Sequence, residues 1–279
     1  MPWSLGSEWS AFHPVFIEGN WWYDEEENTL GYRVGDDAEE EWGNTTWEFP
    51  GPDEYPVIAA EIGPGWTAKA GEKELHGALV TGDPHAIDLA AGQHPQYRDT
   101  ADTLAGLLSL NTQRSYAGEL LDRAVASGYE PKDDPFIRTY LPGAGIVVPI
   151  SPGVVVPLPL MRTAVALAAA ELHQAADEYE RAIEVLEPVD RTTHVILSLT
   201  ELLCDAGRYT EAVETTDGIV NTDDVSAITL AYRARAQGEL GDATGAAQTL
   251  EIVLGRGRPS EEVIGFAQIV KSSLDSATP

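Results

Sequence analysis

The stretches 202–220, LLCDAGRYTEAVETTDGIV, and 233–254, RARAQGELGDATGAAQTLEIVL, decide the fold of this chain, because they carry one pattern twice. Gly207 and Gly241 stand 34 residues apart (241 − 207), and each closes an apolar helical run. Five residues after each glycine comes an alanine, Ala212 or Ala246. Four and seven residues beyond those alanines lie Thr216 and Ile219 in one copy, Leu250 and Val253 in the other. Positions at these offsets share one face of a helix. The alanine lets a neighbouring helix approach closely, and the residue one turn further on fills the space behind it. The same offsets occur upstream as Ala175, Tyr179 and Ala182 in AADEYERAIEVLEP, and earlier as Ala117, Leu121 and Ala124.

A helix-turn-helix unit with this period resembles the tetratricopeptide repeat (TPR). The resemblance covers about residues 161–254, and residues 72–141 fit degenerate helical hairpins of the same general kind. It implies a mainly α fold, a TPR-like α-α superhelix, and it implies protein binding through a groove lined by the first helices of successive repeats. With Gly207 and Gly241 at the turns, the resemblance places His194, Leu197 and Glu201 of one repeat and Ala231 and Arg235 of the next on that groove. These residues depart from the lysine and asparagine set with which some family members clamp a C-terminal carboxylate. The repeat consensus consists of packing residues, so it implies a scaffold without naming a partner.

Around the repeats the chain divides into four stretches. Residues 1–68 hold all seven tryptophans. Short runs of β-formers at Val15 to Ile17, Trp21 to Tyr23, Gly31 to Val34 and Thr45 to Phe49 alternate with charged or Gly-containing connections, which predicts a small β-meander. Residues 69–141 read as helices over Glu72 to Val80, from Pro84 towards Gly92, over Asp99 to Leu110 and over Ser115 to Ser127. Residues 142–160 contain GIVVPISPGVVVPLPL, which predicts a β-hairpin near 145–158 with Pro152 and Gly153 at its turn. Pro149, Pro157 and Pro159 remove ladder donors, so its strands should have free edges, and it should cover the open end of the repeats. Residues 161–279 hold the clear repeats, with Asp190 or Thr192 and then Thr222 as helix caps. A last helix carrying Val263, Phe266, Ala267, Val270 and Leu274 should close them.

Composition narrows the function. The net charge is −29, of which residues 1–68 supply fifteen acids against Arg33 alone. Such a surplus opposes binding to nucleic-acid backbones and anionic membranes, and it reads either as a feature of solubility or an acidic host proteome or as attraction to a basic partner. Cys204 is the single cysteine, which excludes an internal disulfide and fits a reducing compartment. No run of apolar residues is long enough to span a membrane, and the N-terminal stretch lacks the pattern of a secretion signal, so the expectation is a cytoplasmic protein. His76, His85 and His94 lie nine residues apart, a spacing that puts them on different segments; they are expected on the surface and not as metal ligands.

No nucleophile-elbow, phosphate-loop, zinc-protease or dinucleotide motif occurs, and no cofactor is expected. The leading expectation is a non-catalytic scaffold that holds another protein or peptide. Two other readings stand beside it: a Trp-rich module that binds a small molecule or glycan, and an enzyme whose site is assembled from distant residues.

Overall fold

The computed structural model describes residues 71–141, 143–151, 154–255, 257 and 259–277, together with three short strands nearer the N-terminus. Those strands, β1 (Trp21–Asp24), β2 (Thr29–Tyr32) and β3 (Thr46–Glu48), pair antiparallel in the order β1-β2-β3, with Trp22 opposite Gly31 and Leu30 opposite Trp47. The run at Val15 to Ile17, the packing of the tryptophans and the Pro152-Gly153 turn lie outside the described residues. The rest is mainly helical, with twelve α-helices and one two-stranded antiparallel sheet among the described residues. None of these helices is long and apolar enough to cross a membrane.

The chain forms two compact units. One unit is Met1–Val148 with Pro157–Val165; the other is Pro149–Val156 with Ala166–Pro279. The hairpin, β4 (Gly145–Ser151) and β5 (Val154–Pro159), therefore gives its base to the first unit and its tip to the second.

In the first unit the helices are α1 (Glu72–Val80), α2 (Pro84–Gln93), α3 (Arg98–Ser109), α4 (Arg114–Ala126) and α5 (Pro135–Tyr140). Asp83 caps α2 and Asp134 caps α5, each accepting from the amide two residues on, and each is followed by a proline whose fixed φ suits the first helical position. Consecutive helices pack on one another from α1 to α4. Ala117, Leu121 and Ala124 are buried, as the offsets predict, beside Leu104 and Leu107. At Gly106 α4 packs tightly on α3, since a Cβ there would lie 2.5 Å from Leu121 Cδ2. Buried Asp102 takes a two-pronged pair from Arg123, Nε to Oδ2 at 3.0 Å and Nη2 to Oδ1 at 2.9 Å.

One histidine departs from the surface expectation. His76 lies on the same helix face as Leu75 and Leu79, is 2% exposed, and rests with its ring centroid 4.6 Å from that of Tyr140. Burial pushes its pKa down to about 3, so the ring is neutral. His85 is exposed and His94 half-buried. Among the described residues no group of His, Cys, Asp and Glu is arranged to hold a metal ion.

In the second unit the helices are α6 (Arg162–Gln174, from Ala166 onward), α7 (Tyr179–Leu186), α8 (Thr193–Asp205), α9 (Tyr209–Thr215), α10 (Asp224–Glu239), α11 (Ala243–Leu254) and α12 (Glu261–Ala277). Three of the turns are alike. After α8, Gly207 has φ 73° and Gly241 after α10 has φ 81°; after α6 the same place is held by Asp177 with φ 60°. In each, the next residue's amide reaches back across the turn: Glu178 to His173 O, Arg208 to Leu203 O, and Asp242 to Gln237 O. This double-bonded left-handed ending favours glycine because it carries no Cβ, and aspartate is among the few residues that tolerate it.

The turn corrects the upstream register. Counting five on from Asp177 gives Ala182, the true counterpart of Ala212 and Ala246, and all three are fully buried. Leu186 and Val189, four and seven further on, are also buried, matching Leu250 and Val253. Ala175, by contrast, lies exposed in the turn itself. Further along, Thr192 caps α8, but the cap of α10 is Asp223 and not Thr222; Asp223 and Ser226 exchange side-chain and backbone bonds in a capping box.

Helix α8 packs on α7, α9 and α10, and α10 packs on α9, α11 and α12. Arg233 fixes α10 to α9 through Val213 O, Thr216 Oγ1 and Asp217, while Asn221 Nδ2 donates to Ile252 O at 2.8 Å. Val263, Ala267 and Val270 of α12 are buried, and Phe266 meets Tyr232 at 4.6 Å between centroids, so the last helix covers α10 with the expected face.

Candidate functional site

The five residues assigned to a groove separate by burial. Leu197 and Ala231 are fully buried and present nothing to solvent. They stand ten residues before Gly207 and Gly241, on faces where α8 and α10 pack against their neighbours. His194 and Arg235 are half-exposed. Glu201 is 4% exposed. These positions therefore do not form one open surface, and the sequence spacing misses this because it fixes which residues share a face but not how deeply that face is covered.

A polar cluster surrounds Glu201. Gln174 Nε2, from the end of α6, donates to Glu201 Oε1 at 3.1 Å. Glu201 Oε2 is enclosed and makes no hydrogen bond of normal geometry, although the hydroxyls of Ser151 and Tyr232 are close enough to act on it. Those two hydroxyls bond to each other at 3.2 Å, joining the hairpin tip to α10. Loss of solvation pushes the Glu201 pKa up to about 7, against the pull of Ser151, Gln174 and Tyr232, and the charge of Asp205 adds to the rise.

At the rim, Arg235 Nη1 pairs with Asp205 Oδ1 at 3.1 Å. In repeat register Arg235 stands six residues before its turn, as Glu201 and Glu171 do before theirs. Cys204 sits beneath: its thiol is buried, leans on Tyr232 O at 3.7 Å, and is pushed up to about 12 by burial, so it stays protonated and is no nucleophile. No spacing marks Ser151, Gln174 or Tyr232 in the sequence, since they come from three separate segments.

The first unit offers a separate cleft of about 410 Å³, walled by Tyr97, Thr100, Tyr129, Glu130, Asp134 and Phe136. Its groups largely serve one another. Asp134 accepts from Thr100, from Tyr129 and from the Phe136 amide, and Glu130 accepts from the Arg162 amide at 3.0 Å. Burial and the Asp134 contact raise the Tyr129 phenol, which therefore remains a donor. This is a cap for α5 more than a receptor.

Comparison with protein-family models, with curated proteins and with solved structures gives no match, so the functional reading rests on the residues of this chain.

Proposed function

We propose that this chain is a non-catalytic binding protein whose second unit is a TPR-like helical array that holds a segment of another protein beside α8 and α10. The observation that carries this reading is the common register of the three turns at Asp177, Gly207 and Gly241, each followed after five residues by a buried alanine. Stacked hairpins of one register present equivalent positions side by side, which is the geometry that repeat proteins use to read an extended partner. Arg235, Asp205 and His194 are polar groups of α8 and α10 with solvent access, and Gln174 Nε2 reaches Asp205 Oδ2 at 3.5 Å. The charge of −29 favours a partner segment rich in lysine and arginine.

The test exchanges the surface ion pair. Asp205→Lys with Arg235→Glu keeps the two side chains paired but reverses their positions, so the fold is retained while the charge pattern inverts. Partners captured by the natural chain should be lost from the exchanged one, and their retention by the natural chain should weaken with salt. Identical partners for both proteins would remove this face from the reading.

A further inference from the structure

The carboxyl group of Glu201 is 4% exposed and has no cation paired to it among the described residues. Oε1 is occupied by Gln174, and Oε2 lies enclosed without a bond of normal geometry. As a carboxylate, Oε2 is an enclosed charge that can accept from at most the one hydroxyl, Ser151 Oγ or Tyr232 Oη, whose proton is not used in the bond between them. A buried charge in that position is costly. As a carboxylic acid, Oε2 carries the proton and donates to either hydroxyl, since each oxygen has a lone pair to spare.

Burial and the charge of Asp205 favour the neutral form against the hydrogen bonds of Ser151, Gln174 and Tyr232, and no cation among the described residues offsets them. Asp205 on the same helix is an acid. Arg235 of α10 directs its guanidinium to Asp205, and no ion pair to Glu201 exists among the described residues. Gln174 of α6, Ser151 of β4, Tyr232 of α10 and Cys204 bring no countercharge. His173 of α6 is engaged by Glu178 at 2.9 Å.

We propose that Glu201 is held as a neutral carboxylic acid that latches the hairpin tip, Pro149–Val156, to α8 and α10, and that ionising it releases the tip. Ser151 is the tip's buried polar anchor and Ile150 its buried apolar one. When Oε2 loses its proton the enclosed charge draws water in beside Ser151 and Tyr232, and the contact between the tip and α10 loosens. The direction follows from linkage: a carboxyl raised in the folded state stabilises the closed tip fully below its ordinary value of 4.5, and that contribution is lost as pH rises through about 7. The latch rests on the proposed binding face only in its consequence, that release of the tip alters a surface beside Glu201; its test needs no partner.

Amide exchange of the full chain, corrected for intrinsic rates, reads the latch. In the natural protein, opening of peptides covering the tip should rise by roughly tenfold per pH unit between about pH 5 and about pH 7 and then level off. In Glu201→Gln the slope should vanish, because the amide donates to the same hydroxyls and does not titrate; His173 is still present there, so the variant separates the two groups. Tip exchange that is flat with pH in the natural protein, or an unchanged slope in the variant, overturns the proposal. Carboxyl carbon shifts of the glutamate-labelled natural chain give a second reading that requires no variant. One glutamate should titrate near 7, and a full set of midpoints at ordinary carboxylate values would equally overturn it. Identical partners for the natural and the charge-exchanged chain, with the latch intact, would count against the binding face alone.

Discussion

Replacing Arg123 by methionine probes the most deeply buried carboxylate pair in the first unit. Asp102 has a side chain only 3% exposed, and Arg123 meets both of its oxygens at hydrogen-bond distance. Removing one member of a buried pair costs about 3–5 kcal/mol when the other is left uncompensated. Two facts reduce that figure here. Arg98 remains 3.6 Å from Asp102 Oδ1, and Arg123 is itself 52% exposed, so part of its attraction is already screened. The expected cost of Arg123→Met is therefore about 2–3 kcal/mol. Because the chain has two units, a whole-chain unfolding curve would mix them, and amide exchange of peptides from α3 and α4 is the better assay. Those amides should exchange roughly 30- to 140-fold faster, taking about 1.4 kcal/mol per decade. Adding Asp102→Asn removes the stranded charge and should restore most of the protection. Exchange within about threefold of the natural protein in the single variant, or no recovery in the double, would refute the account.

Three further outcomes follow from the packing. Gly106→Ala should destabilise the first unit by about 1 kcal/mol despite the better helix propensity of alanine, since the new methyl displaces Leu121; a stabilised variant in urea unfolding would show that α3 and α4 yield more easily than their contact implies. Gly207→Ala and Gly241→Ala meet no neighbouring atom, so each should cost about 1 kcal/mol from backbone conformation alone, the left-handed penalty less the entropy removed from the unfolded chain. Equal stability of either variant would contradict the turn geometry. Cys204 in the native chain should react with a thiol reagent at least about a hundredfold more slowly than after unfolding; a native rate like that of free cysteine would mean that α8 opens readily.

The repeats were readable in the sequence wherever the turn carries glycine, because left-handed backbone and a close-packed alanine both restrict residue choice. Upstream the spacing points seven residues too early, because Asp177 takes the place of glycine and Ala175 offers a nearer alanine. The hairpin was legible from its prolines and β-branched residues, and the first-unit helices from Asp83, Pro84 and the Leu104 face. What was not legible is depth. Nothing in the local sequence distinguishes buried His76 from exposed His85, or buried Glu201 from half-exposed Arg235, because burial is decided by helices that arrive from elsewhere. The polar cluster escaped for the same reason: Ser151, Gln174, Glu201 and Tyr232 share no spacing and meet only after folding.

The second unit is built from two separated pieces of chain, and this bears on its synthesis. Ser151 precedes its partner Tyr232 by 81 residues, so the hairpin tip leaves the ribosome well before the helices that will receive it. During that interval the tip has only its own strand pairing, and long-range closure comes last. Pro149 and Pro157 then act as chaperoning residues written into the strand: by deleting ladder donors they make the waiting hairpin a poor template for another nascent chain. It also follows that a fragment begun at Arg162 would lack the tip from the outset, and would leave Tyr232 and Glu201 facing a gap.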